Sequence, residues 1–332
     1  MKRGWCPTLY APMPSGDGLL VRVKPPGARL TPTGARAVAA AAERFGNGLI
    51  ELTQRGNLQI RGLRPETTAA FATAMVVAAL AEPDPAREAR RAVMPPPLLG
   101  DDPGLAMGAA AFTARVEAAF QDDPRLDGLP PKFAVAVDAG GVLGGRPVAA
   151  DLVAWTDGQA SGVRLAVRGD AAAPVGLLAY PGTECGAFGL APPFGQMDAD
   201  LLRAAADLAD RFDTALRETP WRAMMLGRVP RIADIEAPGW IVDPADPRLL
   251  VTACVGSPGC AAAEAPARLD AARLRPRGPV HVSGCAKGCA HPGPAAAVLV
   301  GRDGRYDLVR NGRARDAPVM QGLTFEEAMG LV

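Results

Sequence analysis

Histidine is scarce in this sequence of 332 residues, which contains two, His281 and His291. A metal centre built from three or more histidines is therefore excluded, and a facial triad of two histidines and one carboxylate would use both.

An excess of charge of one sign is lacking as well. The net charge is +1 at pH 7, so the overall charge does not indicate a nucleic acid or an anionic membrane as partner. Any anion site must come from a local group of basic side chains.

Long apolar runs are also missing. No stretch approaches the length of a membrane-spanning helix, and the start, MKRGWCP, has no apolar export segment. No G-x-G-x-x-G follows a predicted strand, so we predict no nicotinamide-binding domain. Cysteines without an export signal indicate a reducing compartment, and we expect a cytoplasmic protein. Hydrophobic residues make up 48%, enough for a core spread over two or three domains or one duplicated unit.

Four of the six cysteines form the pattern C-x5-C and C-x3-C. They are Cys254, Cys260, Cys285 and Cys289, with 24 residues between the two pairs. Sets of four thiolates hold zinc or an iron–sulfur cluster. Zinc sites favour shorter gaps at both ends, so the spacing favours a 4Fe-4S cluster, with zinc and disulfides as alternatives. Glycines on both sides of Cys285 let the backbone approach a bulky cluster closely. Cys6 and Cys185 are not expected to be ligands.

The second half of the chain repeats the first. PPGARLTPTGARAVAAAAERF begins at Pro25 and PPFGQMDADLLRAAADLADRF begins at Pro192, an offset of 167 without a gap. After one deletion, Thr53 aligns with Thr219. This distance is too long for a solenoid repeat and indicates an internal duplication. Each copy has the strand and helix pattern of a ferredoxin-like unit.

Local signals predict individual elements in the same regions. Alternation predicts a strand over 19–24 and another that starts at 49–52 and continues through TQRGNLQIRG. Thr31 is expected to cap a helix that ends at Phe45-Gly46, and further helices are predicted over 66–80 and 108–120. Strands are expected over 148–155 and 163–167. Asp303-Gly304 predicts a hairpin turn, and Thr324 with Glu327 predicts a capping box for a last short helix.

Basic side chains are found in only one of the two copies. Arg22 and Lys24 stand two apart and share one face of a strand. On the next strand we expect Arg55, Asn57 and Gln59 to share a face. The second copy has Gly189, Ala191 and Trp221 where the first has Arg22, Lys24 and Arg55. A requirement of the fold alone would place the same residue types in both copies. The asymmetry therefore favours anion binding by the first copy over solvated surface charge. Arginine forks suit a ligand ringed by carboxylates.

These motifs resemble the sirohaem-dependent sulfite and nitrite reductase superfamily over nearly the whole chain. The cysteine pattern is similar to that of the 4Fe-4S ligands of the superfamily. TQRGNLQIRG resembles its tetrapyrrole-binding strand T-x-R-Q-x-x-Q, with Gly56 departing, and RVKPPG resembles R-x-R-x-P-G. Arg91 matches an arginine before a short strand, and LPPKF resembles L-P-x-K-F-K, with Lys132 present and Ala134 in place of a second lysine. By this resemblance Arg91 and Lys132 close over the ligand.

The resemblance implies a sulfite/nitrite reductase-like α+β fold. It comprises two ferredoxin-like half-domains with pseudo-twofold symmetry and two mixed α/β domains, one of them with a 4Fe-4S cluster. The boundaries we predict are 1–80 for the first half-domain with an N-terminal arm, 81–175 for the first α/β domain, 176–235 for the second half-domain and 236–332 for the cluster domain. The substrate-binding set it implies is Arg22, Lys24, Arg55, Asn57, Gln59, Arg91 and Lys132.

Within the superfamily, GWCPTLYAPMPSGDGLLVRV and SGCAKGCAHPG are most similar to the precorrin-3B synthase branch of aerobic cobalamin synthesis. That branch implies a monooxygenase that hydroxylates precorrin-3A at C20 with O₂ and forms a γ-lactone. It also implies a 4Fe-4S cluster, a non-haem iron whose ligands the sequence does not identify, and electrons from a separate NADH-using reductase. The alternatives are a sirohaem-dependent nitrite or sulfite reductase and a tetrapyrrole carrier with a structural cluster. Catalytic residues cannot be assigned at this stage.

Overall fold

The computed structural model describes residues 6–126, 128–130, 132–166 and 171–332. Its contacts divide the chain into two compact units. The first comprises the chain up to residue 14 together with 19–192 and 196–242, and the second comprises 15–18, 193–195 and 243–332. None of the described helices has the length and apolar character needed to cross a membrane. The predicted four-part division at 80, 175 and 235 stays a prediction.

The structure is α+β, as predicted, with more strands than helices. The elements up to residue 165 are β1 (Met13–Ser15), β2 (Gly18–Val23), β3 (Arg29–Leu30), α1 (Pro32–Phe45), β4 (Ile50–Leu52), β5 (Leu58–Leu63), α2 (Thr68–Val77), α3 (Pro85–Ala89), β6 (Val93–Met94), α4 (Ala109–Asp122), β7 (Val135–Asp138), β8 (Leu152–Thr156) and β9 (Ser161–Leu165). The remaining elements are β10 (Gly176–Ala179), β11 (Cys185–Leu190), β12 (Gln196–Met197), α5 (Ala199–Arg211), β13 (Leu216–Glu218), β14 (Met224–Pro230), β15 (Val251–Ala253), α6 (Ala267–Ala271), β16 (Val280–Ser283), β17 (Ala295–Arg302), β18 (Arg305–Gly312), β19 (Met320–Leu323) and α7 (Phe325–Met329).

The duplication predicted from the sequence is visible in the sheets of the first unit. One sheet has the order β1-β2-β5-β4-β12 and the other has the order β10-β11-β14-β13-β3. Each half contributes a short strand to the sheet of the other half: Met197 pairs with Ile50, and Leu30 pairs with Leu216. This reciprocal exchange is the pattern of a pseudo-twofold axis, because each contact recurs with the two halves interchanged.

The two long helices also pack against each other as symmetry partners. Arg36 of α1 donates to Asp210 of α5 over 2.6 Å, and Arg203 of α5 forms an ion pair with Glu43 of α1. Both arginines and both acids are 167 positions apart in the sequence, so one contact is the symmetry image of the other. These pairs are largely exposed, so solvent screens them and they contribute little stability. The main stabilisation comes from the shared core of buried alanine, leucine, valine and methionine side chains on both helices and both sheets.

Several local signals predicted helix boundaries correctly. Thr31 caps α1 by accepting from the Gly34 backbone N–H over 3.1 Å, and Pro32 occupies the first helical position, where its missing N–H is not needed. Thr324 and Glu327 form the predicted capping box of α7. The hairpin between β17 and β18 turns at Asp303-Gly304, where both residues have positive φ angles, as tight hairpin turns require.

One strand prediction is wrong and changes the geometry of the basic surface. The chain does not continue as a single strand from 49 through TQRGNLQIRG, because β4 ends at Leu52 and β5 begins at Leu58, antiparallel to it. The Thr53 hydroxyl accepts from the backbone N–H groups of Arg55 and Asn57, at 3.2 and 3.3 Å, and Gly56 supplies a positive φ of 59°. Thr53 thus closes a hairpin loop, and Arg55 lies in this loop, not on a strand face shared with Gln59.

A third sheet of the first unit has the order β6-β7-β8-β9, with β6, β7 and β8 parallel. The strand predicted over 148–155 begins later, at Leu152, since 148–150 lead into it without ladder pairing. The strand predicted over 163–167 corresponds to β9, which ends at Leu165, and residue 167 lies outside the described residues.

The second unit contains one mixed sheet of five strands in the order β15-β16-β17-β18-β19. The first three strands are parallel, and β18 and β19 complete the sheet in antiparallel fashion. Its core is formed by small and aliphatic side chains with Tyr306 and Phe325. Loops that follow parallel strands meet at one edge of the sheet, and the loops after β15 and β16 carry the four predicted cysteine ligands.

Candidate functional site: a basic cavity and a cysteine loop

The first unit contains a cavity of about 980 Å³, at the upper end of the range of small-molecule sites. Five of the seven residues predicted to bind substrate line it: Arg22, Lys24, Arg55, Asn57 and Arg91. They come from β2, from the hairpin loop after β4 and from the segment after α3. The tertiary structure therefore brings these five predicted residues together around one space.

Arg22 and Lys24 supply two half-buried positive charges on one face of β2. The Arg22 guanidinium donates to Gln59 Oε1 over 3.4 Å and to Cys6 Sγ over 3.7 Å, while Lys24 Nζ donates to the Arg91 carbonyl over 2.9 Å. Within the described residues, neither cation has an ion pair with a carboxylate. Buried cations are normally paired, so this arrangement leaves charge available for an anionic ligand.

The pKa values of both groups reflect this placement. Burial lowers the pKa of Arg22 below its ordinary value. Burial likewise lowers the pKa of Lys24 to about 8, with Glu88 opposing this effect and Arg91 and Arg22 reinforcing it. Desolvation without a matching anion disfavours the charged form, and a carboxylate ligand would restore it.

Arg91 is held beside the cavity by a buried acid. Its Nη1 donates to Glu88 Oε2 over 3.0 Å, and the Glu88 side chain is fully buried on α3. The same carboxylate oxygen accepts from the Glu82 backbone N–H over 3.0 Å. The ion pair fixes the position of Arg91 while leaving part of its five-donor guanidinium free to contact a ligand.

The other two predicted binding residues, Gln59 and Lys132, lie beside the cavity and do not line it. Gln59 stands opposite Arg22 in the β2–β5 ladder and accepts from its guanidinium. The Lys132 side chain is exposed, and its backbone carbonyl accepts from Arg55 Nη2 over 2.5 Å. In the described structure Gln59 orients Arg22, and the Lys132 backbone orients Arg55.

The corresponding surface of the second copy is filled by protein. The ladder registers confirm the alignment, because Arg22 pairs with Gln59 just as Gly189 pairs with Met225. A Cβ at Gly189 would lie 1.9 Å from the Pro174 carbonyl oxygen, so no side chain fits there. Trp221, the counterpart of Arg55, is buried and donates from Nε1 to the Pro147 carbonyl over 2.7 Å. The first copy leaves a cavity where the second packs against its own chain.

Several cavity residues were missed by sequence reasoning, and three of them are Cys6, Glu117 and Glu218. Cys6 is half-buried, and its sulfur accepts from the Arg22 guanidinium over 3.7 Å. Burial raises the pKa of Glu117. Of these three, only Glu218 has a signal in the sequence. The alignment of Thr53 with Thr219 makes Glu218 the counterpart of Leu52, which is apolar.

In the second unit, the cysteine pairs follow two adjacent parallel strands. Cys254 comes directly after β15, and Cys285 comes two residues after the end of β16. The Gly284 backbone N–H donates to Cys254 Sγ over 3.1 Å. Burial raises the pKa of the Cys254 thiol. The backbone N–H groups of Gly284 and Gly256 oppose this rise, and the Cys289 and Cys285 thiols add to it.

The Cys260 sulfur lies beside Gly16, a glycine near the start of the chain. A Cβ built on Gly16 would lie 2.2 Å from Cys260 Sγ, and the Gly16 carbonyl accepts from the Ala261 N–H over 2.9 Å. Gly256 and Gly288 have φ angles of 70° and 62°, which non-glycine residues rarely adopt. Glycine is thus required both for the loop conformation and for the space beside the sulfur.

All six cysteines are free thiols, so the disulfide alternative has no support in this structure. Among the described residues, no group of three or more histidine, cysteine or acidic side chains is arranged to hold a metal ion. Cys6 and Cys185 belong to the first unit, whereas the four predicted ligands belong to the second. His281 is buried on β16, and its ring centroid lies 5.7 Å from that of His291. This contact favours a packing role over metal ligation for the pair.

Comparisons with known proteins agree with this architecture. The model of the nitrite/sulfite reductase ferredoxin-like half domain matches residues 11–76. Among solved structures, the NirA protein of Mycobacterium tuberculosis superposes with a TM-score of 0.65 over 94% of this chain and 79% of that chain. The two are 16% identical, a likeness that shows the fold. A precorrin-3B synthase of Sinorhizobium sp. is 32% identical over 407 aligned positions, which cover 99% of this chain and 87% of the relative. At that identity over nearly the full length, the chain belongs to the precorrin-3B synthase family.

Proposed function

We propose that this protein is a precorrin-3B synthase, a monooxygenase of cobalamin biosynthesis. The reaction hydroxylates precorrin-3A at C20 with O₂ and closes a γ-lactone with a ring acetate. The observation that carries this proposal is the large cavity in which Arg22 and Lys24 have no carboxylate partner among the described residues. Membership of the family supports the choice of a tetrapyrrole as the ligand.

The cavity residues suit a macrocycle whose rim carries carboxylates. Arg22 and Arg55 can each bind a carboxylate through two parallel N–H donors of the guanidinium, and Lys24 supplies a point charge. Gln59 and the Lys132 carbonyl hold the two guanidinium groups in orientation before the ligand arrives. Such preorganisation reduces the conformational entropy lost on binding. These residues therefore bind and orient the ring, which fixes which carbon faces the reagent.

The alternative, reduction of nitrite or sulfite on a bound sirohaem, has less support from the cavity. A reductase must neutralise a small oxyanion, and removing one member of such an electrostatic site typically lowers the rate by about 100–1000-fold. Ala134 lines the cavity at the position where the superfamily places its second lysine, and it is 3% exposed. The other lysine of that motif, Lys132, has an exposed side chain. One of the two charges expected for an oxyanion clamp is thus absent, and the other does not line the cavity.

We further propose that Cys254, Cys260, Cys285 and Cys289 hold one 4Fe-4S cluster. The chemistry of the donor set suits this group, because four thiols lie on glycine-rich loops of one unit and the Gly284 backbone N–H donates to one sulfur, and binding would gather thiols that the described structure does not bring together. When bound, the cluster would supply electron transfer, and the non-haem iron implied by the family would supply oxygen activation. Since no nicotinamide motif is present, electrons would come from a separate NADH-using reductase.

The function is tested by supplying the purified protein with precorrin-3A, a reducing system and labelled O₂. We expect one labelled oxygen in the product, identified by mass spectrometry, and a lactone. Unlabelled product, together with nitrite or sulfite reduction by sirohaem-loaded protein, would assign the chain to the reductases. Binding of precorrin-3A without turnover under any reducing condition would favour a tetrapyrrole carrier.

The cluster is tested with single Cys→Ala variants purified without oxygen. Iron and sulfide content should fall in the variants of the four predicted ligands and stay unchanged in the matched control, Cys185→Ala. Because cluster binding contributes to folding, the four variants should also unfold more readily. Loss of the cluster in Cys185→Ala with retention in Cys260→Ala would show that the ligand assignment is incorrect.

A further inference from the structure

The cavity contains an acid that the predicted substrate-binding set does not explain. Glu218 is the last residue of β13 and lines the cavity, yet its side chain is fully buried. Neither of its carboxylate oxygens has a hydrogen-bond partner within the part of the chain that the structure describes. Buried polar groups in proteins are nearly always hydrogen-bonded, so an acid in this position requires an explanation.

The duplication provides an internal control for this position. In the first copy Leu52 stands opposite Leu58, and in the second copy Glu218 stands opposite Met224, at the equivalent point of the hairpin. The following residues, Thr53 and Thr219, are also equivalent, because each donates its backbone N–H to the residue four positions later. Leu52 belongs to the apolar core and is 3% exposed. The fold therefore requires only an apolar side chain here, and the carboxyl of the second copy serves another purpose.

The surroundings of Glu218 decide which form of the carboxyl is present. Burial raises the pKa of Glu218 well above its ordinary value, and the one charge that opposes this rise is Arg91. The other charged groups that line the same cavity are Arg22, Lys24, Arg55, Glu82, Arg87, Arg90, Glu117 and Asp122. A neutral carboxyl differs from the ionised form in carrying an O–H donor, so it can bind an anion instead of repelling it.

We propose that Glu218 is a further ligand-contacting residue, which donates its carboxyl O–H to a carboxylate oxygen of the bound macrocycle beside Arg91. This inference rests on the proposed function. A hydrogen bond from a neutral acid to a carboxylate is charge-assisted and stronger than one between neutral groups. The guanidinium and the acid together select a carboxylate at this wall of the cavity, whereas Leu52 in the first copy could only pack against carbon.

The proposal predicts opposite effects of one substitution on binding and on stability. Glu218→Leu restores the residue type of the first copy and removes a buried polar group without a partner. It should raise the Tm by about 2 °C or more. The same variant should bind uroporphyrin, a stable tetrapyrrole with acetate and propionate groups, roughly tenfold or more weakly. Glu218→Gln keeps an N–H donor and should retain affinity to within about threefold.

The experiment combines fluorescence titration with uroporphyrin, thermal unfolding and infrared difference spectroscopy of the three proteins. We expect a protonated-carboxyl band in the wild type that is absent from both variants and shifts when uroporphyrin binds. Equal affinity of wild type and Glu218→Leu, or a lower Tm in that variant, overturns the assignment of Glu218 and leaves the function of the cavity intact. Failure of the wild type to bind uroporphyrin overturns both.

Discussion

Replacement of Lys24 by methionine separates the role of this residue in binding from its effect on stability. Methionine has a similar length and no charge, so Lys24→Met removes a half-buried ammonium without leaving a large cavity. The ammonium has no ion pair with a carboxylate in the described structure, and its hydrogen bond goes to the Arg91 carbonyl over 2.9 Å. In the free protein the desolvated charge therefore destabilises the folded state, and we expect its removal to stabilise the fold.

The magnitude follows from the pKa. Lowering the pKa of Lys24 from 10.5 to about 8 corresponds to at most about 3 kcal/mol. Below pH 8 the lysine is charged in both the folded and the unfolded protein, and the folded state carries the full desolvation cost. Between pH 8 and 10.5 the unfolded state binds more protons, so the wild type gains stability as the pH rises. Above 10.5 the lysine is neutral in both states, and the cost disappears.

The assay is urea unfolding of wild type and Lys24→Met at pH 7 and at pH 10.5. We expect the variant to be more stable at pH 7, by up to about 3 kcal/mol after allowance for its lost hydrogen bond, and the difference to become smaller by that amount at pH 10.5. Lys132→Met is the matched control, because its side chain is exposed, and it should change stability by no more than about 0.5 kcal/mol at either pH. A stability difference between wild type and Lys24→Met that is the same at both pH values would refute the reasoning.

Two further substitutions test the cavity and the cysteine loop. Arg22→Ala should weaken tetrapyrrole binding by about 2–5 kcal/mol with little loss of stability. In contrast Arg217→Ala, on β13 of the second copy, leaves its partner Asp101 without its ion pair, and it should lower stability by about 3–5 kcal/mol without affecting binding. Binding titrations and unfolding curves of both variants distinguish them, and equal binding losses would contradict the asymmetry of the two copies. Gly16→Ala should displace Cys260 Sγ and lower the iron and sulfide content, whereas Gly278→Ala, with no atom within 4 Å of the added Cβ, should not. Full iron content in Gly16→Ala would show that the Cys260 sulfur is not held where the structure places it.

Much of the fold follows from short-range signals. Thr31, Pro32 and the Thr324–Glu327 box define helix ends through contacts within a few residues, so the sequence was sufficient to predict them. The Asp303-Gly304 turn was predicted for the same reason, whereas the duplication was recognised by comparing the two halves of the sequence and the α+β class came from the family resemblance. The hairpin at Thr53 was missed because its polar residues continue the alternation of the flanking strands, and alternation alone does not distinguish a strand from a tight loop.

The candidate site was predicted in part, for a related reason. The comparison of the two copies identified Arg22, Lys24 and Arg55 from the sequence, and five of the seven predicted residues line one cavity. That comparison works because two copies with one backbone fold share every structural requirement, so a difference between them indicates function. The cysteine spacing likewise predicted a ligand set, since ligands on short loops are fixed by their separation along the chain.

Burial, pairing and charge state were decided only by the tertiary structure. Burial on β13 raises the pKa of Glu218, and the pKa of Lys24 is lowered because segments distant in sequence enclose it. Gly189 cannot be replaced because the Pro174 carbonyl lies against it. Desolvation depends on every atom within several ångströms, most of which come from other parts of the chain. The sequence by itself determined which residues could carry charge, and the packing of distant segments decided which of these charges persist and where a ligand can reach them.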